Sequence, residues 1–283
     1  MVMWLLQSLA DGFSVPVHDA VLQLYRILVA VAVLWKSGAT LLLGDWNRIR
    51  IGSFGRYQLE KRHGAARVWM ISTFHKPLIL ARLAAAVLLL LGVGSRVAIL
   101  VIVLGFVHEL CYEYRFNTIY ITLCLCCLLP AQRLGTGFEL SGGTSTANSW
   151  SQFLVVLLTV DVYWNSAYQK LRSPQFMTGL SLVQQSYVAA AVRPQMTSWE
   201  YWHPATGATR AMAGGAVRTR WRAVATTVVV LEILLPVGLL TPALRSGAIV
   251  VGMGLHLAFM AILPLRLAPF TLVTLASYPL FMP

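Results

Sequence analysis

About eight stretches of this chain are apolar over most of the length that a membrane-crossing helix needs, and their alternation with basic loops limits the fold more than any motif does. They lie at about 20–43, 78–91 with its flanks, 96–112, 119–131, 150–170, 222–240, 245–263 and 267–282. Inside a bilayer the backbone N–H and C=O groups have no water to bond, so such segments become helices that satisfy their own backbone. The expected class is all-α: a polytopic integral membrane helix bundle of about eight transmembrane helices, forming one domain over residues 1–283. Composition agrees, with 58% hydrophobic residues and only 11% charged.

The net charge of +12 would suit nucleic acid if the basic residues formed one face. Instead they stand between apolar runs, which makes membrane lipids the expected partners and excludes nucleic acid. Loop 46–77 holds Arg48, Arg50, Arg56, Lys61, Arg62, Arg67 and Lys76; loop 171–222 holds Arg172, Arg193, Arg210, Arg218, Arg220 and Arg222; 132–149 holds only Arg133. With about eight spans, both basic loops fall on the cytoplasmic side and both termini face outward. Residues 1–19 lack a positive leader and a cleavage site and read as an interfacial lead-in. The stretch 171–221 is expected to be a cytoplasmic or re-entrant loop, with an interfacial helix across 176–192 and an aromatic cluster at Trp199, Tyr201, Trp202 and His203. The polar stretch 135–149 should be flexible at its tip. In the seventh run, Ala248 with Gly252 and Gly254 with Ala258 are small residues four apart, a spacing that permits close helix packing.

The fifth run, with the segment after it, concentrates the chemistry. Asp161 interrupts it and Lys170 ends it, and an ionisable group in such surroundings is costly unless paired or wetted. On a helix turning about 100° per residue, Tyr163, Ser166 and Lys170 share one stripe, while Asp161 falls nearly opposite and must find its partner elsewhere. Lys170 reads either as a residue snorkelling to the membrane boundary or as an amine kept neutral by desolvation, able to act as a base.

The densest polar cluster inside apolar sequence is 108–117, HELCYEYRFN. Glu109 and Glu113 are four apart and share a face, as do His108 and Tyr112, so a short segment offers a base, two carboxylates and a phenol. The embedded cations Arg26, Lys36, Arg82, Arg115 and Lys170 nearly balance the anions Glu109, Glu113, Asp161 and Glu232, which points to paired groups inside a bundle. Such pairs either lock helix register or line a functional cavity. His108, Glu109, Glu113 and His256 show no metal-ligand spacing, so no metal is expected. The four cysteines lie in or beside apolar runs, which argues against a disulfide framework; Cys124, Cys126 and Cys127 read as small buried hydrophobes. His256 reads as a hydrogen-bonded core histidine or a catalytic imidazole.

Two segments resemble a known family, the HTTM domain, which comprises the transmembrane part of vitamin K-dependent gamma-glutamyl carboxylase and its bacterial relatives. Residues 162–179, VYWNSAYQKLRSPQFMTG, are similar to the family's aromatic-rich helix that ends in a lysine-leucine pair and a tight turn. Residues 256–283, HLAFMAILPLRLAPFTLVTLASYPLFMP, are similar to its final histidine-bearing helix and closing run. Weaker similarity extends through LLLLGVGSRVAIL and the polar turn before the fourth run. In that family the lysine deprotonates a reduced quinone; oxygen addition then creates a base strong enough to take a proton from substrate glutamate, and carbon dioxide adds. The resemblance implies a bacterial inner-membrane enzyme with Lys170 as base, His256 and His108 as further catalytic groups, and Tyr163, Ser166, Asn117, Thr118, Glu109 and Glu113 around a quinone-like cofactor. Thr118 stands where the carboxylase has a functional histidine, so a proton relay there falls to His108 or His256. The turn's tryptophan is absent, with Phe176 nearest. A chain that stops at Pro283 is expected to be without the carboxylase's large lumenal domain, so that a peptide substrate would be held by the membrane domain or by a partner subunit.

Three functions are consistent with these residues: a carboxylase-like membrane enzyme using a reduced quinone, with carbon dioxide and oxygen as co-substrates; a non-catalytic accessory protein for peptide-toxin maturation or immunity; and a quinone-linked thiol oxidoreductase component using Cys124, Cys126 and Cys127.

Overall fold

The computed structural model describes residues 17–42, 54–112, 115–131, 134, 143–145, 147–184, 215–262 and 267–281. The expected aromatic cluster at Trp199–His203, the loop tip, most of the lead-in and Glu113 lie outside these residues. Among the described residues the protein is all-α apart from one two-residue β pair, and each of the apolar runs coincides with a helix. Three helices among the described residues are long and apolar enough to cross a membrane: Asp19–Leu42, Ala65–Leu91 and Thr219–Leu240. That marks the chain as a membrane protein. Phe116–Cys127, Arg245–Met260 and Ala268–Phe281 are apolar but shorter. The chain forms two compact units, Met1–Val155 with Pro283, and Val156–Met282.

In the first unit, α1 (Asp19–Leu42) packs on α3 (Ala65–Leu91), α3 packs on α4 (Ser95–Leu110), and α4 packs on α5 (Phe116–Cys127). The short α2 (Phe54–His63) rests on α3. Leu22, Arg26, Val29, Val33 and Ser37 recur at three- and four-residue spacing along the buried side of α1. On α4 the inner stripe is Ile99, Ile102, Phe106 and Glu109, while Val97, Leu100, Leu104 and Val107 are exposed. An apolar outer face suits lipid, where it costs nothing, and would be a liability in water. The α3–α4 hairpin closes on Gly92 and Gly94, both with positive φ, and Val93 N–H reaches back to Leu88 O at 2.9 Å, satisfying a carbonyl left open by the helix end. Val17 and His18 pair antiparallel with Ser145 and Thr144, and Asn148 Nδ2 donates to the buried Asp19 Oδ1. The end of the expected lead-in is thereby tied to the start of α6 (Ala147–Leu171), whose first residues belong to this unit.

The second unit contains the rest of α6, the single turn α7 (Pro174–Met177), α8 (Gly215–Leu240), α9 (Arg245–Ile262), α10 (Ala268–Ala276) and a 3₁₀ turn at Tyr278–Phe281. Its core joins Val160, Tyr163, Leu235, Leu239, Leu255, Tyr278 and Phe281. The small residues of α9 divide in use. Ala248 faces Gly238 of α8, whose added Cβ would come within 2.9 Å, and Gly252 seats the Tyr278 ring, with Cζ 2.8 Å from where a Cβ would stand; Gly254 has open space. Of the interfacial helix expected across 176–192, the described residues show α7, a turn at Gly179 and helical residues 180–184, and 185–192 lie outside them.

Candidate functional site

The polar stripe expected on the fifth run exists, and α8 completes it. Lys170 sits in the last turn of α6, on the face that also carries Thr159, Tyr163 and Ser166. Its Nζ donates to Glu232 Oε1 and, at 2.9 Å, to Ser166 Oγ, which itself donates to the same carboxylate oxygen at 3.2 Å. Lys170 is 21% exposed and Glu232 only 3%. A lysine at a helix end that merely snorkelled would reach outward to water; here the stem turns back to an acid on a neighbouring helix. Two rings flank the amine, Phe176 with its centroid at 5.5 Å and Phe259 at 5.4 Å.

Phe176 is placed by the break after α6. Ser173 caps α7 by accepting from Phe176 N–H at 3.2 Å, and Gly179 closes the turn with φ 77. Glycine is required there twice over, because a Cβ would also lie 2.7 Å from the backbone of Trp221.

Two turns before Lys170 on α6, the Tyr163 hydroxyl meets His256 Nε2 at 2.7 Å and Tyr278 Oη at 2.5 Å. Thr159 Oγ1 continues the line, donating to Ser277 Oγ at 2.9 Å. Each hydroxyl has one proton, so the Tyr278–Tyr163–His256 chain has two directions. If Tyr163 donates to His256, the free nitrogen Nδ1 carries the hydrogen; if His256 donates to Tyr163, Nδ1 is the acceptor. Phe259 stands edge-on to the imidazole at 6.0 Å between centroids, and it is the same ring that faces Lys170. His256 is close enough to Lys170 to feel its charge. Two buried polar atoms of this cluster have no hydrogen-bond partner among the described residues, Glu232 Oε2 and His256 Nδ1. Asp161 is exposed, as its place opposite the stripe demands, and the partner expected for it is not found among the described residues.

The remaining expected site residues belong to the first unit. Glu109 accepts from Lys36 Nζ and Arg82 Nη1, both at 2.8 Å, and from Thr118 Oγ1 at 3.1 Å. Thr118 is therefore a buried ligand of a carboxylate. His108 packs with Tyr112, as their four-residue spacing predicts, and with His75. Asn117 is partly buried near the start of α5, and Glu113 lies outside the described residues.

Among the described residues no three His, Cys, Asp or Glu side chains gather as metal ligands. The four cysteines are free thiols; Cys124 and Cys127 are buried, and Cys124 meets the hydroxyls of Tyr25 and Tyr120. Sequence reasoning counted Glu232 among embedded charges without placing it at the site, and it passed over Tyr278, Phe259 and His75. The available signal for Glu232 was its isolation, a lone acid inside an otherwise apolar stretch of α8. No family model matches the chain, and no curated protein or solved structure matches it either.

Proposed function

We propose that the protein is an integral membrane enzyme of about eight spanning helices, similar to the vitamin K-dependent carboxylases, in which Lys170 acts as a base toward a reduced quinone-like molecule during modification of a peptide or small substrate. The observation that carries this reading is the half-buried Lys170 amine, held by Glu232 and Ser166 and facing the Phe259 ring that also packs on His256. Two observations support this cofactor: Glu232 Oε2 and His256 Nδ1 are without partners among the described residues and can each bond a hydroxyl group, and Phe176 and Phe259 offer ring faces to an aromatic molecule. Reduced quinone, when bound, supplies the electrons and the acidic hydroxyl, and the carboxylation so implied takes carbon dioxide and oxygen as co-substrates.

The chain's own groups do the proton handling. A buried amine and carboxylate that share one proton can hold it on either side, and with the proton on Glu232 the Lys170 amine is neutral and able to accept another. Ser166 fixes the amine by bonding both partners. His256 shares a unit with Lys170, so in this reading it takes the relay role that Thr118 cannot perform. Tyr163, itself bonded to Tyr278, fixes the orientation of the ring, and reversal of the hydroxyl chain would switch its tautomer.

One observation favours the accessory reading instead: the amine is already ion-paired, which is all that a register lock requires. Lys170→Arg separates the two. Arginine keeps the charge and the pairing but does not lose its proton, so a base is abolished while a lock survives. The assay follows oxidation of a reduced naphthoquinone and incorporation of labelled carbon dioxide by purified protein. Turnover lost in both Lys170→Arg and Lys170→Ala, with helicity and quinol binding retained, supports the enzyme. Undiminished turnover in Lys170→Arg refutes the base.

A further inference from the structure

Arg82 lies in the middle of α3, a helix long and apolar enough to cross a membrane, and is only 1% exposed. Its Nε donates to Ser37 Oγ and its Nη1 to Glu109 Oε2, each at 2.8 Å, but its Nη2 has no hydrogen-bond partner among the described residues. A guanidinium presents five N–H donors in a rigid fork, and leaving one edge bare in a dry interior is costly. The charge count points the same way. Lys36 and Arg82 share the carboxylate of Glu109, so these three side chains together carry one net positive charge, and Arg115 stands close enough to Lys36 to add to the positive field.

Two more nitrogens without partners border the triad, His75 Nδ1 and His108 Nε2. Their rings lie 6.0 Å apart, both pack on Tyr112, and both are close enough to Arg82 and Glu109 to feel those charges. The helix backbone itself accommodates the arginine. A Cβ at Gly105 would stand 3.3 Å from Arg82 Cδ, so this glycine in the interior of α4, unfavourable for a helix, lets the side chain cross it. Ordered water would fill the empty hydrogen-bonding positions but would leave the charge in place.

We propose that this cluster binds a singly charged oxyanion of carboxylate or phosphate type, with Arg82 Nη2 as principal donor and His75 and His108 completing the shell. One negative charge cancels the excess of the triad, and two oxygens on one centre match the spacing of a guanidinium edge, as a halide does not. Dissolved anions and the phosphodiester of a net-anionic lipid headgroup share this chemistry, whereas the phosphodiester of phosphatidylcholine brings its own choline cation and cancels no excess charge. The site stands in the first unit and does not depend on the role given to Lys170.

The test uses full-length protein and reads its unfolding temperature by tryptophan fluorescence. In one arm, protein in lipid-free detergent is titrated with sodium acetate, bicarbonate or phosphate against sodium chloride at constant ionic strength. In the other, protein in nanodiscs of phosphatidylglycerol is compared with protein in phosphatidylcholine. A saturable rise in the soluble arm assigns a dissolved anion, and a rise confined to phosphatidylglycerol assigns a headgroup. In either case Arg82→Lys, which keeps the charge and loses the fork, should require at least about tenfold more ligand. If Arg82→Lys does not fold, Lys36→Gln removes the excess charge while leaving the guanidinium, and the same loss is expected. No rise in either arm, an equal response to chloride, or an undiminished response in the folded variant overturns the proposal.

Discussion

The pair formed by Lys170 and Glu232 makes an asymmetric prediction. Lys170→Met strands a carboxylate that is 3% exposed and keeps only the Ser166 hydroxyl as a partner, which should cost about 3–5 kcal/mol, the range for breaking a buried pair. Glu232→Gln strands an amine that is 21% exposed, still bonded to Ser166 and carried on a stem long enough to find water. That change should cost only about 1–3 kcal/mol. With both charges gone no uncompensated ion remains, so the double variant should be more stable than the two single losses added together imply, by at least about 2 kcal/mol. The measurement is reversible unfolding in mixed micelles, followed by circular dichroism, for the four proteins of the cycle. Strict additivity would mean that the ion pair contributes nothing. A larger loss for Glu232→Gln than for Lys170→Met would mean that the exposure difference does not govern the energetics.

Gly252→Ala should act on the hydrogen-bond chain without touching it chemically: the new methyl meets the Tyr278 ring, pushes Oη away from Tyr163, and costs about 1–3 kcal/mol, a loss that Tyr278→Phe in the same chain should partly relieve. Equal unfolding temperatures of Gly252→Ala and the parent would contradict the packing. Replacing Cys124, Cys126 and Cys127 together by alanine should lower the unfolding temperature modestly, because buried sulfur contacts are lost, and leave quinol turnover in place. Turnover lost with the fold intact would move the chemistry to the thiols.

The helices were legible in the sequence because hydropathy and rotation per residue are local properties. The apolar runs predict where helices stand, and the 100° turn puts Tyr163, Ser166 and Lys170 on one stripe and Asp161 on the opposite side. The same arithmetic places His108 against Tyr112. The small pair Ala248 and Gly252 likewise signals close approach, though the spacing alone does not separate it from Gly254 and Ala258, and Gly254 faces open space. What approaches Gly252 is a ring from the last turn of the chain.

The partners of the buried charges came only with the fold. Glu232 is 62 residues from Lys170, Arg82 is 27 from Glu109, and Tyr278 is 115 from Tyr163. Near balance among embedded ions predicts that pairs exist, but which acid meets which base depends on how far each helix slides and rotates against its neighbours. That offset is set by packing summed along whole helices, so it is written in no short segment. The sequence by itself determined an all-helical membrane chain with a polar stripe ending in an amine. Tertiary packing decided that this amine meets Glu232, that Thr118 binds a carboxylate, and that Arg82 keeps one edge of its guanidinium without a partner.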